Sequence, residues 1–248
     1  MVPLSTYESE RQRPLGRPVM RQRWRALLFL HFSTAPEEIQ AQLPTGLTVD
    51  TYPDAQGIER AWVGLIPFRM EGVTPVGVPE IPGMHAFPET NVRTYVHREG
   101  KQPGVWFFSL EAANALACRV ARRFFRLPYH EARMSVDESI AMVRYQSVRR
   151  SGGQVCNVEC RLGAELELPK PGSLDFFLLE RYLLYAYRAG ELYTGRVHHS
   201  AYPTKEVTWF DYHEELVEAA GITPRPFDHA VFSPGVDVEV FGLKRADD

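Results

Sequence analysis

The sequence is poor in lysine and cysteine, and it has no long hydrophobic run. Only four of its 28 basic residues are lysines, and its three cysteines are too few for a disulfide framework. No stretch reaches the roughly 18 apolar residues of a membrane-spanning helix, and no apolar signal core lies near the N-terminus. These absences argue against a membrane protein and favour a reducing compartment, so we predict a cytoplasmic protein.

A basic surplus is also missing. The net charge is −3 and the isoelectric point is near 6.3, whereas a general nucleic-acid binder normally carries an excess of positive charge. The 44% apolar and 12% aromatic residues are enough to build a substantial core in 248 residues. No repeat or composition shift marks a boundary. We therefore predict a single domain over residues 21–248, preceded by an N-terminal arm, residues 1–20, which is rich in Pro and Arg.

Many short stretches have the alternation of strands, with a few helical segments between them. This pattern predicts an α+β fold that is mainly antiparallel β-sheet. The predicted strands are residues 25–32, 61–68, 91–97, 105–108, 139–149, 155–168, 193–201, 206–210 and 236–243. The predicted helices are residues 36–43, 110–127 with Ser109 as N-cap, 174–187 with Ser173 as N-cap, and a short one starting at Asp211. Residues 72–88 are rich in Gly and Pro, so they form either a lid or a cover for one end of the sheet.

The strand at residues 91–97 has the strongest pattern in the chain. Its alternation places Glu89, Asn91 and Arg93 on one face, with about 6.5–7 Å between successive Cβ atoms. A carboxylate, an amide and a guanidinium on one face can bind and polarise a small carboxylate or carbonyl compound. Arg93 would be the bidentate anchor and Glu89 the general acid or base, while Asn91 would add a hydrogen bond. The alternative is a solvated strand face with no ligand.

A family resemblance extends over roughly residues 20–210. It is carried by LLFLHF with His31, Leu43-Pro44 and Gly46-Leu47, AWVGLIPF, FPETNVRTYV, RLPYHEA, ERYLLY and VHHSAYP. In these motifs the chain resembles the YqjF-like family of bacterial domains of unknown function, within the acetoacetate decarboxylase-like superfamily. The resemblance implies a closed or cone-shaped β-barrel decorated by a few helices, with a ligand pocket inside it.

The same resemblance implies a site and changes its chemistry. Glu89 matches a glutamate of the superfamily's decarboxylases, whereas Tyr129 and His130 stand where those enzymes have two lysines. A Schiff base requires a primary amine, so neither residue can form one. Three of the four lysines, Lys101, Lys170 and Lys244, lie in loop or tail sequence, and Lys205 alone is near a motif. We therefore reject decarboxylation through an imine.

Four more residues are candidates for this site. His130 is an acid or base suited to neutral pH, and Tyr129 can hydrogen-bond an enolate or carbonyl oxygen; a structural pair beside a helix end is the alternative. His31 and His199 are candidate substrate-binding residues, although a lone histidine on a strand is more often a satisfied core residue. A metal held by His31, Glu89 and one of His198 and His199 would need a proximity that the sequence does not show. We expect no metal and no cofactor.

These observations predict a small-molecule pocket and a reaction that needs no imine. The predicted activity is that of a lyase, hydratase or isomerase acting on a small oxo-acid. One alternative is a binding module that holds a small organic acid without turnover, and another is a structural subunit whose own side chains fill the pocket. The expected partner is a small-molecule ligand, with a carboxylate group, and neither nucleic acid nor membrane; the sequence leaves a homo-oligomer open.

Overall fold

The fold was described from a computed structural model over residues 2–78 and 85–246. It is mostly sheet with few helices, which confirms the predicted α+β class. The described strands are β1 Met20–Thr34, β2 Thr48–Val49, β3 Tyr52–Pro53, β4 Glu59–Pro75, β5 Ala86–Arg98, β6 Lys101–Ala112, β7 Tyr129–Glu138, β8 Met142–Arg149, β9 Val155–Leu166, β10 Leu183–Arg188, β11 Glu191–His198, β12 Thr204–Glu214, β13 His229–Val240 and β14 Lys244–Arg245. The described helices are α1 Leu4–Glu10, α2 Pro36–Gln40, α3 Ala115–Val120, α4 Leu174–Leu179 and α5 Leu216–Ala219, and a π-helical turn, Ala121–Phe125, continues α3.

The strands form one large sheet. Nine of them are hydrogen-bonded in a sequence that starts at β6 and returns to it. The order runs β6-β7-β8-β9-β12-β13-β1-β4-β5, and β5 pairs with β6 again. A second link joins β11 to β13. The pairs are antiparallel except for β6 with β7 and β10 with β6, which are parallel. These links place β5 and β1 inside a continuous circuit of strands and not at an open edge.

Two apolar cores lie against the two faces of this sheet. On β5, Tyr95 belongs to one core and Val92 to the other, and both side chains are fully buried. β4 is buried almost continuously from Ala61 to Phe68, as its near-continuous apolar sequence predicts. The strands that form the candidate site are therefore held from both sides.

The predicted helix after Ser109 begins later than expected. β6 continues to Ala112 because its last residues pair with β5 on one side and with β7 on the other. Asn114 caps α3, and its side chain accepts hydrogen bonds from the backbone N–H groups of Leu116 and Ala117. Sheet pairing therefore overrides the capping signal of Ser109.

The predicted helix over residues 174–187 is correct only in its first half. Ser173 caps α4 as expected, but the backbone leaves the helical conformation at Glu180. Residues from Leu183 onward form β10, which pairs with β11 and with β6. A short run of apolar and aromatic residues fits a buried helix and a buried strand equally well, and here pairing with β6 and β11 selects the strand.

Three smaller differences concern the termini and the loops. The N-terminal segment contains α1, and its Tyr7 side chain is buried in the core. The predicted helix at Asp211 is the end of β12, and the Glu214 carboxylate caps α5 instead. β4 and β5 extend into residues 72–88, and the central part of that predicted lid, residues 79–84, lies outside the described residues.

Within the ranges 2–78 and 85–246, no helix is long and apolar enough to cross a membrane. The same residues contain no group of three or more His, Cys, Asp or Glu placed to hold a metal ion. The three cysteines are all buried and unpaired, as expected.

Candidate functional site

A cavity of about 150 Å³ lies against the face of β5 that carries Glu89, Asn91 and Arg93. Most of its lining is apolar, with side chains from β1, β4, β6, β10, α3 and the π-helical turn. The polar and charged side chains that reach it are Gln22, Glu89, Asn91, Arg93, Tyr129, Arg181 and Tyr202. A mainly apolar cavity with a few convergent polar groups is the usual form of a small-molecule site.

β5 supplies three of these polar groups in a row. Glu89, Asn91 and Arg93 alternate with residues that face the opposite core, and each of the three side chains is at most 9% exposed. The period of two in the sequence is thus reproduced, but this polar face is buried and not solvated. A solvated strand face is therefore not the explanation of this pattern.

The crossover from β6 through α3 to β7 brings Tyr129 next to Glu89. α3 packs Ala117 against the cavity, and the π-helical turn adds Ala121 and Phe125. The chain then turns at Arg126, whose φ of 57° lies in the left-handed region, and passes Pro128 before β7. β7 starts beside β6 in parallel register, so Tyr129 points into the cavity from its first position.

Glu89 and Tyr129 form a hydrogen-bonded pair in the cavity. The Tyr129 hydroxyl donates to Oε2 of Glu89 at 3.0 Å. Burial raises the pKa of Glu89 to about 8, Glu111 adds to the rise, and the hydrogen bond from Tyr129 opposes it. Burial and the Glu89 charge together raise the pKa of Tyr129 well above its usual value. Glu89 therefore exchanges its proton near neutral pH, while Tyr129 stays protonated.

Arg93 is a buried cation without a carboxylate partner among the described residues. Its Nη2 donates to the Leu178 carbonyl at 3.1 Å and to the Tyr95 hydroxyl at 3.3 Å, and its guanidinium lies over the rings of Phe29 and Tyr95. Nε of Arg93 has no hydrogen-bond partner in the described structure, and neither has Oδ1 of Asn91. A donor and an acceptor are thus left unsatisfied on side chains that line the cavity.

A chain of hydrogen bonds links Arg93 through Tyr95 to His31. The Tyr95 hydroxyl donates to the Leu178 carbonyl at 2.8 Å, and it shares a second hydrogen bond with Nε2 of His31, which lies 2.7 Å away. Burial, with the charges of His229 and Arg93, lowers the pKa of His31 well below its usual value and keeps the ring neutral.

Nδ1 of His31 lies 3.0 Å from Nδ1 of His229, so the two rings share a hydrogen bond. Nε2 of His229 in turn lies 2.8 Å from Oδ1 of Asp175. The neighbouring strand β4 leaves room for His31 because residue 64, beside it, is glycine. A Cβ at that position would lie 3.0 Å from the His31 ring.

The second arginine of the cavity, Arg181, is paired with a buried carboxylate, while its Nη2 has no hydrogen-bond partner in the described structure. Its Nη1 lies 2.9 Å from Oδ2 of Asp50, and both side chains are buried. The Tyr7 hydroxyl from α1 donates to the same Asp50 oxygen at 2.6 Å. The guanidinium also lies 4.3 Å from the centre of the Phe177 ring. The adjacent carboxylate, Glu180, is paired with Arg11 at 3.4 Å.

Three predicted site residues do not line the cavity. His130 follows Tyr129 on β7, so it points to the other face of the sheet, and its pKa is lowered by burial, Arg149 and Arg122. His31 contributes only through Tyr95. His199 is buried behind the cavity, stacked on Tyr182, and burial lowers its pKa to about 4.

No lysine of the chain lines the cavity, and all four lie in the described residues. Lys205, the one with a suggestive position, is on β12 opposite Glu165 and Phe232. Sequence reasoning missed Asp50, Tyr95, Asp175, Arg181 as a cavity residue, and His229. Only Tyr95 had a usable signal, because it shares the alternating face of Arg93; the others depend on contacts between distant parts of the chain.

Comparisons with known proteins agree with this architecture. A family model described as an uncharacterised conserved protein matches residues 21–237. The protein YqjF of Bacillus subtilis, itself described as uncharacterised, is 37% identical over 187 residues, which cover 75% of each chain.

Two solved structures share the fold at low identity. Acetoacetate decarboxylase from Legionella pneumophila has a TM-score of 0.66 at 12% identity, with 96% of this chain and 94% of that chain covered. The enduracididine biosynthesis enzyme MppR, in complex with pyruvate, also has a TM-score of 0.66 at 12% identity, with 94% and 93% covered. The fold is therefore similar to that of acetoacetate decarboxylase-like enzymes, and by sequence the chain belongs to the DUF2071 family of uncharacterised conserved proteins, the YqjF-like family.

Proposed function

We propose that the chain is an enzyme that binds a carboxylic acid in the cavity and moves a proton next to a carbonyl group without forming an imine. Arg93 holds the carboxylate, and Glu89, supported by Tyr129, exchanges the proton. The observation that carries the proposal is the buried guanidinium of Arg93, which lines the cavity and has no carboxylate partner in the described part of the chain. Closure of the strand circuit into a barrel around the cavity is part of this proposal, supported by the β5–β6 pair.

The charges around the cavity favour an anionic ligand. Arg181 is paired with Asp50, and Glu89 is mostly protonated at pH 7 because its pKa is about 8. Arg93 therefore leaves an uncompensated positive charge in a site largely shielded from water. A buried charge is costly unless it is paired, so a ligand carboxylate on the free Nε side of Arg93 would stabilise the site.

Glu89 has the properties of a general acid or base. A side chain is most effective in proton transfer when its pKa lies near the working pH, and burial brings Glu89 into that range. Its carboxylate form would take a proton from the carbon beside the carbonyl, and the protonated form would return one. No lysine lines the cavity, so the reaction proceeds without a Schiff base.

The structural neighbours give this proposal limited support. One is named acetoacetate decarboxylase and another was solved with pyruvate, so both names refer to small oxo-acid chemistry. At 12% identity these likenesses extend to the fold alone, and the transfer of an oxo-acid to this chain rests on Arg93 and Glu89.

A proton-exchange assay tests the activity. The purified chain would be incubated with 2-oxobutanoate and 5-oxohexanoate in D₂O, and NMR would follow deuterium entry at the carbons beside the carbonyl. We expect at least one of the two acids to exchange above the buffer rate, and at a subsaturating acid concentration the rate should rise about tenfold per pH unit below pH 8 and level above it.

Matched variants separate binding from proton transfer. Glu89→Gln should bind the acids and lose the exchange, whereas Arg93→Met should lose binding. Exchange that is unchanged in Glu89→Gln would refute the role of Glu89. Binding can be detected as a rise in the melting temperature of the chain. If neither 2-oxobutanoate nor 5-oxohexanoate raises it and neither exchanges, the proposal as a whole is refuted.

A binding module without turnover is the second candidate. It is favoured by one observation: His130 points away from the cavity, so Glu89 is the only side chain lining the described cavity whose proton exchanges near neutral pH. Binding that is lost in Arg93→Met, together with no exchange in the parent chain at any pH, would identify this function.

A further inference from the structure

We propose that the ligand is an elongated acid whose second oxygen function is separated from the carboxylate by at least three carbons. This inference rests on the proposed function, because it takes Arg93 as the carboxylate anchor. It concerns the distance between that anchor and the Glu89–Tyr129 pair, and it distinguishes the ligand from compact acids such as pyruvate.

The register of β5 sets this distance. Arg93 and Glu89 are four residues apart on one extended strand, so their Cα atoms are separated by about 13 Å. Arg93 does not lean back toward Glu89, since its Nη2 contacts Tyr95 and Leu178 on the far side. A three-carbon acid bound at Arg93 therefore leaves Glu89 out of reach.

Asn91 lies between the two ends. Its side chain is 5% exposed, and its Oδ1 has no hydrogen-bond partner among the described residues. An acceptor at the midpoint suits a ligand with a hydroxyl group, or an ordered water, along its length. The polar groups thus form three successive positions for one extended molecule.

The neighbouring strand β4 adds apolar side chains to the same face of the sheet. It places Ile66 beside Asn91, Phe68 beside Glu89 and Met70 beside Phe87, and all of these side chains line the cavity. The cavity volume of about 150 Å³ is that of a site which holds one benzene molecule, or about six to nine non-hydrogen atoms. Extended acids of about five or six carbons with one further oxygen satisfy both the length and the volume.

Two isomeric acids provide the decisive test. 2-Oxohexanoate and 5-oxohexanoate have the same formula and differ only in the position of the oxo group. Isothermal titration calorimetry of the full chain at about pH 6, where Glu89 is protonated, should show 5-oxohexanoate binding about three- to tenfold more tightly, the value of one hydrogen bond. This comparison uses the parent protein, so it does not depend on the folding of any variant.

Variants at Glu89 locate the distal contact. Glu89→Gln keeps a hydrogen-bond donor and should keep the preference for the 5-oxo isomer, whereas Glu89→Leu should abolish it. An equal or stronger affinity for 2-oxohexanoate in the parent chain would overturn the inference and leave the proposed function intact. Failure of both isomers to bind would overturn both.

A series of unsubstituted acids tests the apolar length. From propanoate to hexanoate the dissociation constant should fall about fourfold per added methylene, as expected for burial of each group. A dissociation constant that does not change with chain length would contradict an extended apolar site, even if Arg93 is confirmed as the anchor.

Discussion

Arg93 and Arg181 line the same cavity, yet the protein treats them differently. Arg181 has Asp50 at 2.9 Å and the Tyr7 hydroxyl beyond it, so its charge is balanced before any ligand arrives. Arg93 has carbonyl, hydroxyl and ring contacts, but no carboxylate within the described residues. Burial and residue type are alike in the two cases. The presence of a counterion is what separates a structural arginine from a candidate binding arginine.

The largest expected effect comes from removing the counterion of Arg181. Asp50→Asn leaves a buried guanidinium unpaired and should lower the free energy of unfolding by about 3–5 kcal/mol, measured by urea denaturation. The double variant Asp50→Asn with Arg181→Met should recover part of this loss. Equal stability of the Asp50→Asn variant and the parent would mean that the two arginines do not differ as described.

Substituting each arginine by methionine gives the direct comparison. Arg181→Met leaves the buried Asp50 carboxylate without its cation and should lower the free energy of unfolding by about 3 kcal/mol. Arg93→Met removes an unpaired charge and should change the free energy of unfolding by about 1 kcal/mol or less. The two variants would be compared in the same denaturation experiment. A large loss in Arg93→Met would show that Arg93 is mainly structural.

The ionisation of Glu89 should place a negative charge in the same cavity as Arg93 and compete with an anionic ligand. Its pKa is about 8, so the site is neutral at Glu89 below that pH and negative above it. An anionic ligand should then bind equally well at pH 6 and pH 7 and about tenfold more weakly at pH 9, as calorimetry would show. In Glu89→Gln the affinity should not change over this range. A pH dependence that persists in that variant would point to a different titrating group.

The smallest effect concerns the orientation of Arg93. Tyr95→Phe keeps the ring beside both arginines and removes the hydroxyl that contacts Arg93 and His31. We expect acid binding to weaken about fivefold, equivalent to about 1 kcal/mol, because one support of the guanidinium is lost. Calorimetry with the same acid measures this change. His97→Gln, on the same strand but without a contact to Arg93, serves as the control.

The sequence predicted the central strand better than its surroundings. The alternation of β5 and the burial of β4 follow from periodicity, and Glu89, Asn91, Arg93 and Tyr129 do line one cavity. The start of α3 was missed because Ser109 and Asn114 are both good caps, and only pairing with β5 and β7 excludes the first.

The buried charge pairs could not be predicted from the sequence for a different reason. Asp50 and Arg181 are 131 positions apart in the sequence, and His31 and His229 are 198 apart. Period and propensity describe local geometry, and neither tells which distant residue will meet a given side chain. His130 does not line the cavity beside Tyr129 because adjacent residues of a strand point to opposite faces.

The pairing of β1 with β13 also has a consequence for synthesis of the chain. β1 ends at residue 34, but its partner β13 begins at residue 229, so most of the polypeptide must leave the ribosome before β1 is paired on that side. Long-range strand pairing slows folding and exposes unpaired edges in the meantime. Because His31 lies in this pair, opposite His229, the support of Arg93 is completed only when the last long strand docks.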